Sequence, residues 1–432
     1  MSVAMRDVER LERGPAVDIR EFQARLLRRR LEHLRSEYPF HTRRLGEWGV
    51  DVPVFDFLRR LPTMDKRVLE EFSEELSPPA DDVVEIAYSS GTTGSPLAIP
   101  FTEAGLKRLE WNERRAFSVC GLSKNDTVLL TCTMDRCFIA GLAYQLGCRA
   151  IGAAAIRVGA APLGVHWNVI REIRPTVIVG VPSFLAKLAE SAARFGCEAG
   201  KSGVAKLVCI GEPLRGYDLE PLPLTRKIEN LWHAAAFSTY ASTEVCAAFC
   251  ECERQSGGHL VPELAIVEIL DDDGSPLPPG ETGEVTLTPL GDGAAPLLRF
   301  RTGDMSFLID EPCSCGRKTP RLGPIVGRKH QLIKHKGTAF YPNAIHAALG
   351  ALDCVVEHQV VAIGDNLSDD VRVLVALQGE GSLERVEETL RAALRVGVLV
   401  EEVPPDELLG RVFPDGKRKP SRFVREERHP RI

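Results

Sequence analysis

Between about residues 82 and 230, short apolar runs alternate with segments whose apolar residues recur at helical spacing. The runs are VVEIAYS, TVLLTCT, AAAIRV, TVIVGV and AKLVCIG, and PSFLAKLAESAARFG directly follows TVIVGV. Strand–helix alternation at this pitch predicts a largely parallel sheet with helices on its faces. Ligands of such sheets gather at the carboxyl ends of the strands, where Gly, Ser and Pro punctuate this chain. Upstream, DIREFQARLLRRRLEHLRSEYPFHTRRLGEW (18–48) sets apolar residues at helical spacing among many arginines, predicting an amphipathic, solvent-washed helix. After about 255, LAIVEILDDDGSPLPPGETGEVTLTPL predicts short strands joined by DDG and PPGETG turns, a small β-rich subdomain. Beyond Gly327 a turn-rich start, a strand (VRVLVALQG), a helix (SLERVEETLRAALRVG) and a basic tail form another unit.

Composition narrows the class. The 432 residues, 44% hydrophobic and 26% charged, match an ordinary globular protein of two to three domains. A net charge of -6 gives no electrostatic reason to expect nucleic acid or an anionic membrane as partner. No apolar stretch approaches the roughly 20 residues that span a bilayer, and MSVAMRDVERLERG lacks an apolar signal core. The expected location is the cytoplasm. In that reducing compartment the twelve cysteines are expected to be apolar core residues, metal ligands or thiols rather than disulfides. Cys120, Cys132, Cys148 and Cys209 stand alone in apolar context and read as core.

Candidate chemistry begins at YSSGTTGSPLAIPFT (88–102), where hydroxyls and glycines crowd behind a strand. Such loops bring backbone and side chains close to an anion. It is not a GxxxxGK[ST] loop, because Ser95 follows Gly94. Four further segments follow in order: KLVCIGEPL (206–214), FSTYASTEV (237–245), LLRFRTGDM (297–305) and GRKHQLIKHKG (327–337). With these, the chain resembles the adenylate-forming superfamily of acyl-CoA ligases, most closely its phenylacetate–CoA ligase-like branch. The resemblance runs from LPTMDKRVLEEF (61–72) to KPSRFVRE (419–426).

The resemblance implies an α/β fold. A large N-terminal adenylation domain (1–327) would hold layered mixed sheets and a β-rich subdomain (about 246–326), followed by a mobile α+β lid (328–432). It implies activation of an aromatic acid by ATP and Mg²⁺, with coenzyme A as acceptor. Ser89, Ser90, Gly91, Thr92, Thr93 and Gly94 would wrap the β- and γ-phosphates. Thr243 would contact the α-phosphate, Glu244 would hold Mg²⁺, Tyr240 would stack on adenine, and Asp304 would accept from both ribose hydroxyls. Arg328 would reach ribose or phosphate, and Gly211, Glu212 and Pro213 would line the floor, Glu212 equally serving as a structural hydrogen-bonder. A lid lysine would meet charge building in the transition state: Lys419 by K-x-x-R spacing, or Lys417 by its Gly-Lys dipeptide. His330 stands at the hinge, where the family usually has Asp or Lys.

Cys252, His259, Cys313 and Cys315, with Cys250 as a spare, suit a closed tetrahedral Zn²⁺ site, since thiolates and imidazole are its preferred donors. By family analogy the acid pocket draws on TMDRCFIAG (133–141) and AAAFS (234–238), hence Asp135, Phe138, Gly141, Ala236 and Phe237. Asp135 and Arg136 replace aromatic and glycine residues of related ligases; they read as a mutual pair or solvent-facing charges, or as a partner for a polar substrate group. The altered hinge and polar pocket leave a second acceptor class open: an amine, a hydroxyl, a carrier-protein thiol or a nitrite-derived group of specialised metabolism. A homodimer is compatible with the sequence.

Overall fold

The computed structural model describes residues 5–46, 52–89, 97–135, 137–364, 369–379, 381–414 and 420–426. It divides into two units, Met1–Glu220 with Lys227–Ile325, and Pro221–Arg226 with Val326–Ile432. Among the described residues no helix is long and apolar enough to cross a membrane.

After a short helix over Met5–Arg13, the first unit continues with helix α1 (Ala16–Glu37), which buries Leu27, Leu31 and Leu34 at helical spacing. The helix predicted over 18–48 is broken at Tyr38, whose backbone is extended ahead of Pro39. The proline ring disfavours a helical residue before it. Nor is α1 wholly solvent-washed: Arg30 is buried, donating to the carbonyl of Ala294 at 2.8 Å.

Strands β1 (Val83–Tyr88) and β2 (Ala98–Thr102) pair antiparallel as a separate ribbon. VVEIAYS therefore does not enter the parallel sheet as its apolar run predicted. The segment joining the two strands is too short for a crossover, which takes a dozen or more residues. Thr102 caps the next helix, α2 (Glu103–Val119), its hydroxyl accepting from the Gly105 N–H at 3.1 Å.

The parallel sheet follows as β3 (Thr127–Leu130), α3 (Ile139–Ile151), β4 (Ala154–Arg157), α4 (Leu163–Ile173), β5 (Val177–Gly180), α5 (Pro182–Glu190), β6 (Lys206–Ile210) and β7 (Ala235–Ser242). Strand β8 (Ala247–Cys250) returns antiparallel to β7, and the order across the sheet is β4-β3-β5-β6-β7-β8. All four residues of β5 are buried, as expected where helices cover both faces. The β-rich part adds β9 (Gly258–His259), β10 (Ala265–Leu270), β11 (Gly283–Pro289), β12 (Phe300–Ser306), β13 (Leu308–Ile309) and β14 (Arg321–Leu322). β10, β11 and β12 pair antiparallel, and β14 lies between β13 and β9. One apolar core joins α1 to this region through Leu31, Val285 and Leu287.

The second unit is α+β. Its sheet comprises β15 (Val355–Ile363), β16 (Asp370–Leu377), β17 (Leu399–Glu402) and β18 (Phe423–Glu426) in the order β17-β16-β15-β18. Helices α6 (Pro342–Leu349) and α7 (Leu383–Leu394) pack Ile345 and Leu390 onto Val360 and Val373.

Candidate active site

The tight turn between β7 and β8 carries Thr243 and Glu244 at the carboxyl end of a parallel strand. The Cys246 N–H donates to the Ser242 carbonyl at 3.0 Å and closes the turn. Glu244 is buried, yet both its oxygens are held: Oε2 by the Ser242 hydroxyl at 3.1 Å, Oε1 by Lys66 Nζ at 2.8 Å. Lys66 arrives because Met64 bonds to β12 on both sides, its N–H to Arg299 and its carbonyl to Arg301. The sequence reading used LPTMDKRVLEEF only to mark the extent of the resemblance and missed this lysine.

The same β12 presents Asp304 after Gly303, whose φ of +79° and empty surroundings favour glycine there. Asp304 Oδ2 accepts from the Tyr240 hydroxyl at 3.0 Å. Burial and then the Asp304 charge hold that phenol well above its usual range, and one ring face stacks on Phe249. Tyr240, Asp304, Thr243 and Glu244 thus share one edge of the first unit. Glu212 accepts from both the backbone N–H (2.9 Å) and hydroxyl (2.8 Å) of Ser183, bracing the start of α5. The adjacent Gly211 has φ +78°, and Pro213 continues that turn. Ser89 is buried, its N–H bonded to the Leu97 carbonyl at 2.9 Å. Ser90, Gly91, Thr92, Thr93 and Gly94 lie outside the described residues, as do Lys417, Lys419 and Arg136. Arg328, half-buried, lies in the second unit, and His330 follows in a short 3₁₀ turn.

Beside Thr243 a cavity opens between α2, α3 and the end of β7. It measures about 40 Å³ and is bounded by Leu109, Glu113, Ile139, Tyr144 and Thr243, among others. The residues predicted for the acid pocket are not on its lining. Asp135 is exposed, and Phe138 stands at the N-cap of α3, just ahead of Ile139. Gly141 serves close packing, since a Cβ there would fall 2.5 Å from the Thr133 carbonyl oxygen. Ala236 and Phe237 are buried in the sheet, Phe237 within the apolar cluster that holds Phe117 and Tyr144. The lining of this cavity also includes Asn112 and Glu113, which the sequence reading did not single out. The available signal was a carboxylate between Leu109 and Phe117 at four-residue spacing, on the buried stripe of a helix.

The cysteine cluster forms at β9 and the loop after β13. Ligand atoms of Cys252, His259, Cys313 and Cys315 all lie within 4.8 Å of one another. Zinc bonds of about 2.3 Å to sulfur and 2.0–2.1 Å to nitrogen would set tetrahedral neighbours about 3.8 Å (S–S) and 3.6 Å (S–N) apart. The Cys252–Cys313 sulfur separation is 3.7 Å, and Cys315 Sγ lies 3.5 Å from His259 Nε2. Burial, then the nearby Arg317 and Arg321, push His259 down to about 3, so the ring is neutral, as a ligand must be. Burial and the neighbouring sulfurs push Cys252 up to about 12. Burial opposes ionisation of Cys315 too, but hydrogen bonds from Arg317 and the other thiols hold its thiol below the ordinary value. The spare, Cys250, points elsewhere, its sulfur accepting from the Thr239 hydroxyl at 3.0 Å.

The family model for AMP-binding enzymes matches residues 28–289. The chain belongs to the AMP-binding enzyme family. Relatives in sequence include the phenylacetate-coenzyme A ligase of Thermus thermophilus, 28% identical over 84% of this chain and 83% of that one. The phenylacetate-coenzyme A ligase of Pseudomonas putida is 26% identical over 84% and 82%. In three dimensions the chain aligns with 2-hydroxyisobutyryl-CoA ligase in its postadenylation state, bound to 2-HIB-AMP. The TM-score is 0.84 over 99% of this chain and 94% of that one, at 20% identity, which bears on the fold. The family's α/β architecture with mixed sheets is the fold described above.

Proposed function

We propose that the chain activates an aromatic carboxylic acid with ATP and passes the acyl group to coenzyme A. The observation that carries this reading is the Thr243–Glu244 turn at the end of β7, sharing one edge with Asp304 in a member of the AMP-binding enzyme family. Relatives named as phenylacetate-coenzyme A ligases support the aromatic acid and the thiol acceptor. In the first step a carboxylate oxygen attacks the α-phosphorus of ATP, and the bond to the bridging oxygen breaks to release pyrophosphate. In the second the coenzyme A sulfur attacks the acyl carbon, its proton passes to solvent, and the bond to AMP breaks.

Thr243 binds the α-phosphate in this reading, and Glu244 holds Mg²⁺, which neutralises phosphate charge when bound. Asp304 binds the ribose, with Arg328 beside ribose or phosphate. The loop from Ser89 through Gly94 grips the outer phosphates, and Tyr240 and Gly211–Pro213 flank the adenine. A lysine of the C-terminal tail, Lys419 before Lys417, supplies positive charge at the reacting carboxylate, which makes the second unit the lid. Cys252, His259, Cys313 and Cys315 hold a structural Zn²⁺, four protein ligands leaving no open position for catalysis.

The test is carboxylate-dependent ATP–pyrophosphate exchange over benzoic and arylacetic acids, followed by AMP release and thioester detection with coenzyme A. Exchange that Glu244→Ala abolishes supports adenylation. Exchange without any thioester moves the acceptor to an amine, hydroxyl, carrier thiol or nitrite-derived group. No exchange with any acid counts against the reading.

A further inference from the structure

Strand β11 is buried along its whole length, yet it carries a carboxylate, Glu284, that is 5% exposed. Taking a carboxylate out of water is costly unless it is paired and hydrogen-bonded. Both oxygens of Glu284 are held by β12, and both at one irregularity of that strand. Oε2 accepts from Arg301 Nε at 2.7 Å, and Oε1 accepts from the Gly303 N–H at 3.1 Å. Arg301 is fixed in turn, its guanidinium donating to the Asp271 carbonyl at 2.8 Å.

The irregularity is a bulge. Glu284 pairs with Met305 and Thr286 with Arg301, so Val285 alone on β11 faces Thr302, Gly303 and Asp304 on β12. A bulge leaves ladder groups of the longer strand without their cross-strand partners, and those groups need others. Side chains supply them here. The Thr302 hydroxyl donates to the Val285 carbonyl at 2.9 Å and accepts from the Asp304 N–H at 3.1 Å. Glu284 provides the acceptor for Gly303, the residue whose φ of +79° turns the chain. The bulge ends on Asp304, whose Oδ2 accepts from the Tyr240 hydroxyl at 3.0 Å. Tyr240 thus fixes the carboxylate, while Glu284 and Thr302 fix the backbone that carries it.

We propose that Glu284 is a positioning residue for the nucleotide: by holding the bulge it sets the Asp304 carboxylate where the ribose hydroxyls donate to it. The proposal rests on the assignment of Asp304 to ribose in the acid-activation reading. It adds the residue that makes this grip selective for ribose over deoxyribose. Glu284 acts through Gly303 and Asp304, not on the substrate itself. A misplacement of about 1 Å in a seating group, caused by a change at a distance, costs up to about 100-fold. A carboxylate that served only the sheet would stabilise the fold without regard to the sugar of the nucleotide.

The experiment compares ATP with 2′-deoxy-ATP and 3′-deoxy-ATP by kcat/KM in pyrophosphate exchange. Wild type, Glu284→Gln, Glu284→Ala, Asp304→Ala and the double variant Glu284→Ala/Asp304→Ala are measured, with urea unfolding of each. Thermal shifts with AMP and its 2′- and 3′-deoxy counterparts are recorded alongside. The wild type should prefer ATP over at least one deoxynucleotide by about 10- to 100-fold, the scale of a hydrogen bond to a charged group. Glu284→Ala should bring that ratio close to the one for Asp304→Ala. The double variant should lower it no further, because both changes remove the same grip. Glu284→Gln, whose amide offers one accepting oxygen in place of two, should keep part of the ratio. A folded Glu284→Ala that loses exchange equally with all three nucleotides overturns the proposal and makes Glu284 a strut of the sheet. If Glu284→Ala does not fold, Glu284→Gln decides: a lowered ratio upholds the proposal and the wild-type ratio overturns it. A wild type that does not distinguish the sugars overturns it as well. If no acid supports exchange, the acid-activation reading fails separately and the thermal shifts decide. A preference for AMP that weakens in the Glu284 variants then upholds the positioning role, and an unchanged or absent preference overturns it.

Discussion

At one edge of the first unit four ligand atoms from Cys252, His259, Cys313 and Cys315 lie within 4.8 Å of one another. On α2 the buried Glu113 carboxyl keeps a single hydrogen-bond partner, Asn112. Both places take polar groups out of water, at a cost that must be offset. In the cysteine cluster four donor atoms of the chain converge, the arrangement proposed above to hold zinc. At Glu113 one oxygen meets Asn112 and the other meets no polar group. The first place draws its polar atoms together, and the second isolates one.

The comparison breaks most sharply at the cluster. Cys313→Ser removes one of four donors, and metal binding to a closed site is coupled to folding. The expected result is loss of bound zinc and of about 3 kcal/mol or more of stability, read by metal analysis and denaturant unfolding. Wild-type protein carrying less than about half an equivalent of zinc, with stability unmoved by Cys313→Ser, would make the cluster four packed side chains.

Next in size is the turn after β7. Glu244→Ala should lower exchange by about 10²- to 10³-fold, the scale seen when one preorganised electrostatic group is removed. Lys66→Ala should cost less, about tenfold, because it removes the partner that positions Glu244 rather than the carboxylate itself. Equal losses in the two variants would make Lys66 a direct participant.

The Glu113 side is sharpened by pH. Its carboxyl is raised from 4.5 to about 8 by burial, Asn112 opposing the shift. Between those values the folded chain binds more protons than the unfolded one, so stability falls as pH rises and levels off above about 8. Glu113→Gln cannot ionise and lacks this slope. From pH 6 to pH 8 the wild type should lose about 2 kcal/mol relative to the variant, measured by urea unfolding at both values. A parallel response of the two proteins would mean that Glu113 is already ionised and paired.

How much of this could be read from the chain follows the same division. The alternating runs predicted the parallel sheet, and the spaced thiols and imidazole predicted the cluster, because buried strands and soft ligands carry their signature in residue type. VVEIAYS was misplaced because an apolar run does not say which strand it pairs with; the short connection to β2 decided that. Ala236 and Phe237 are buried in the sheet, and a strand's alternation gives two faces without saying which one lines a cavity. Lys66 and Glu244 stand far apart in sequence and meet only because Met64 bonds to β12. Glu113 was visible as a charge on an apolar stripe, but α2 also buries Arg108 and Arg115, the first donating to the Leu264 carbonyl and the second to Glu263. Which partner each charge meets is settled only by the packing.

The smallest expected effect tests whether the cluster is a ligand shell or merely a packed patch. His259 Nε2 faces Cys315 while Nδ1 lies 3.1 Å from the Thr319 hydroxyl. With Nε2 on a metal, Nδ1 carries the proton and donates to that hydroxyl, fixing the ring's orientation and raising its basicity. Thr319→Val keeps the side-chain shape and removes the acceptor. Zinc affinity, measured by competition with a chelator, should fall about tenfold, and Thr319→Ser should restore most of it. Unfolding at saturating zinc should match the wild type. If Thr319→Val destabilises the zinc-saturated protein as much as Cys313→Ser does, the hydroxyl is holding the packing rather than the ligand, and the contrast with Glu113 loses its basis.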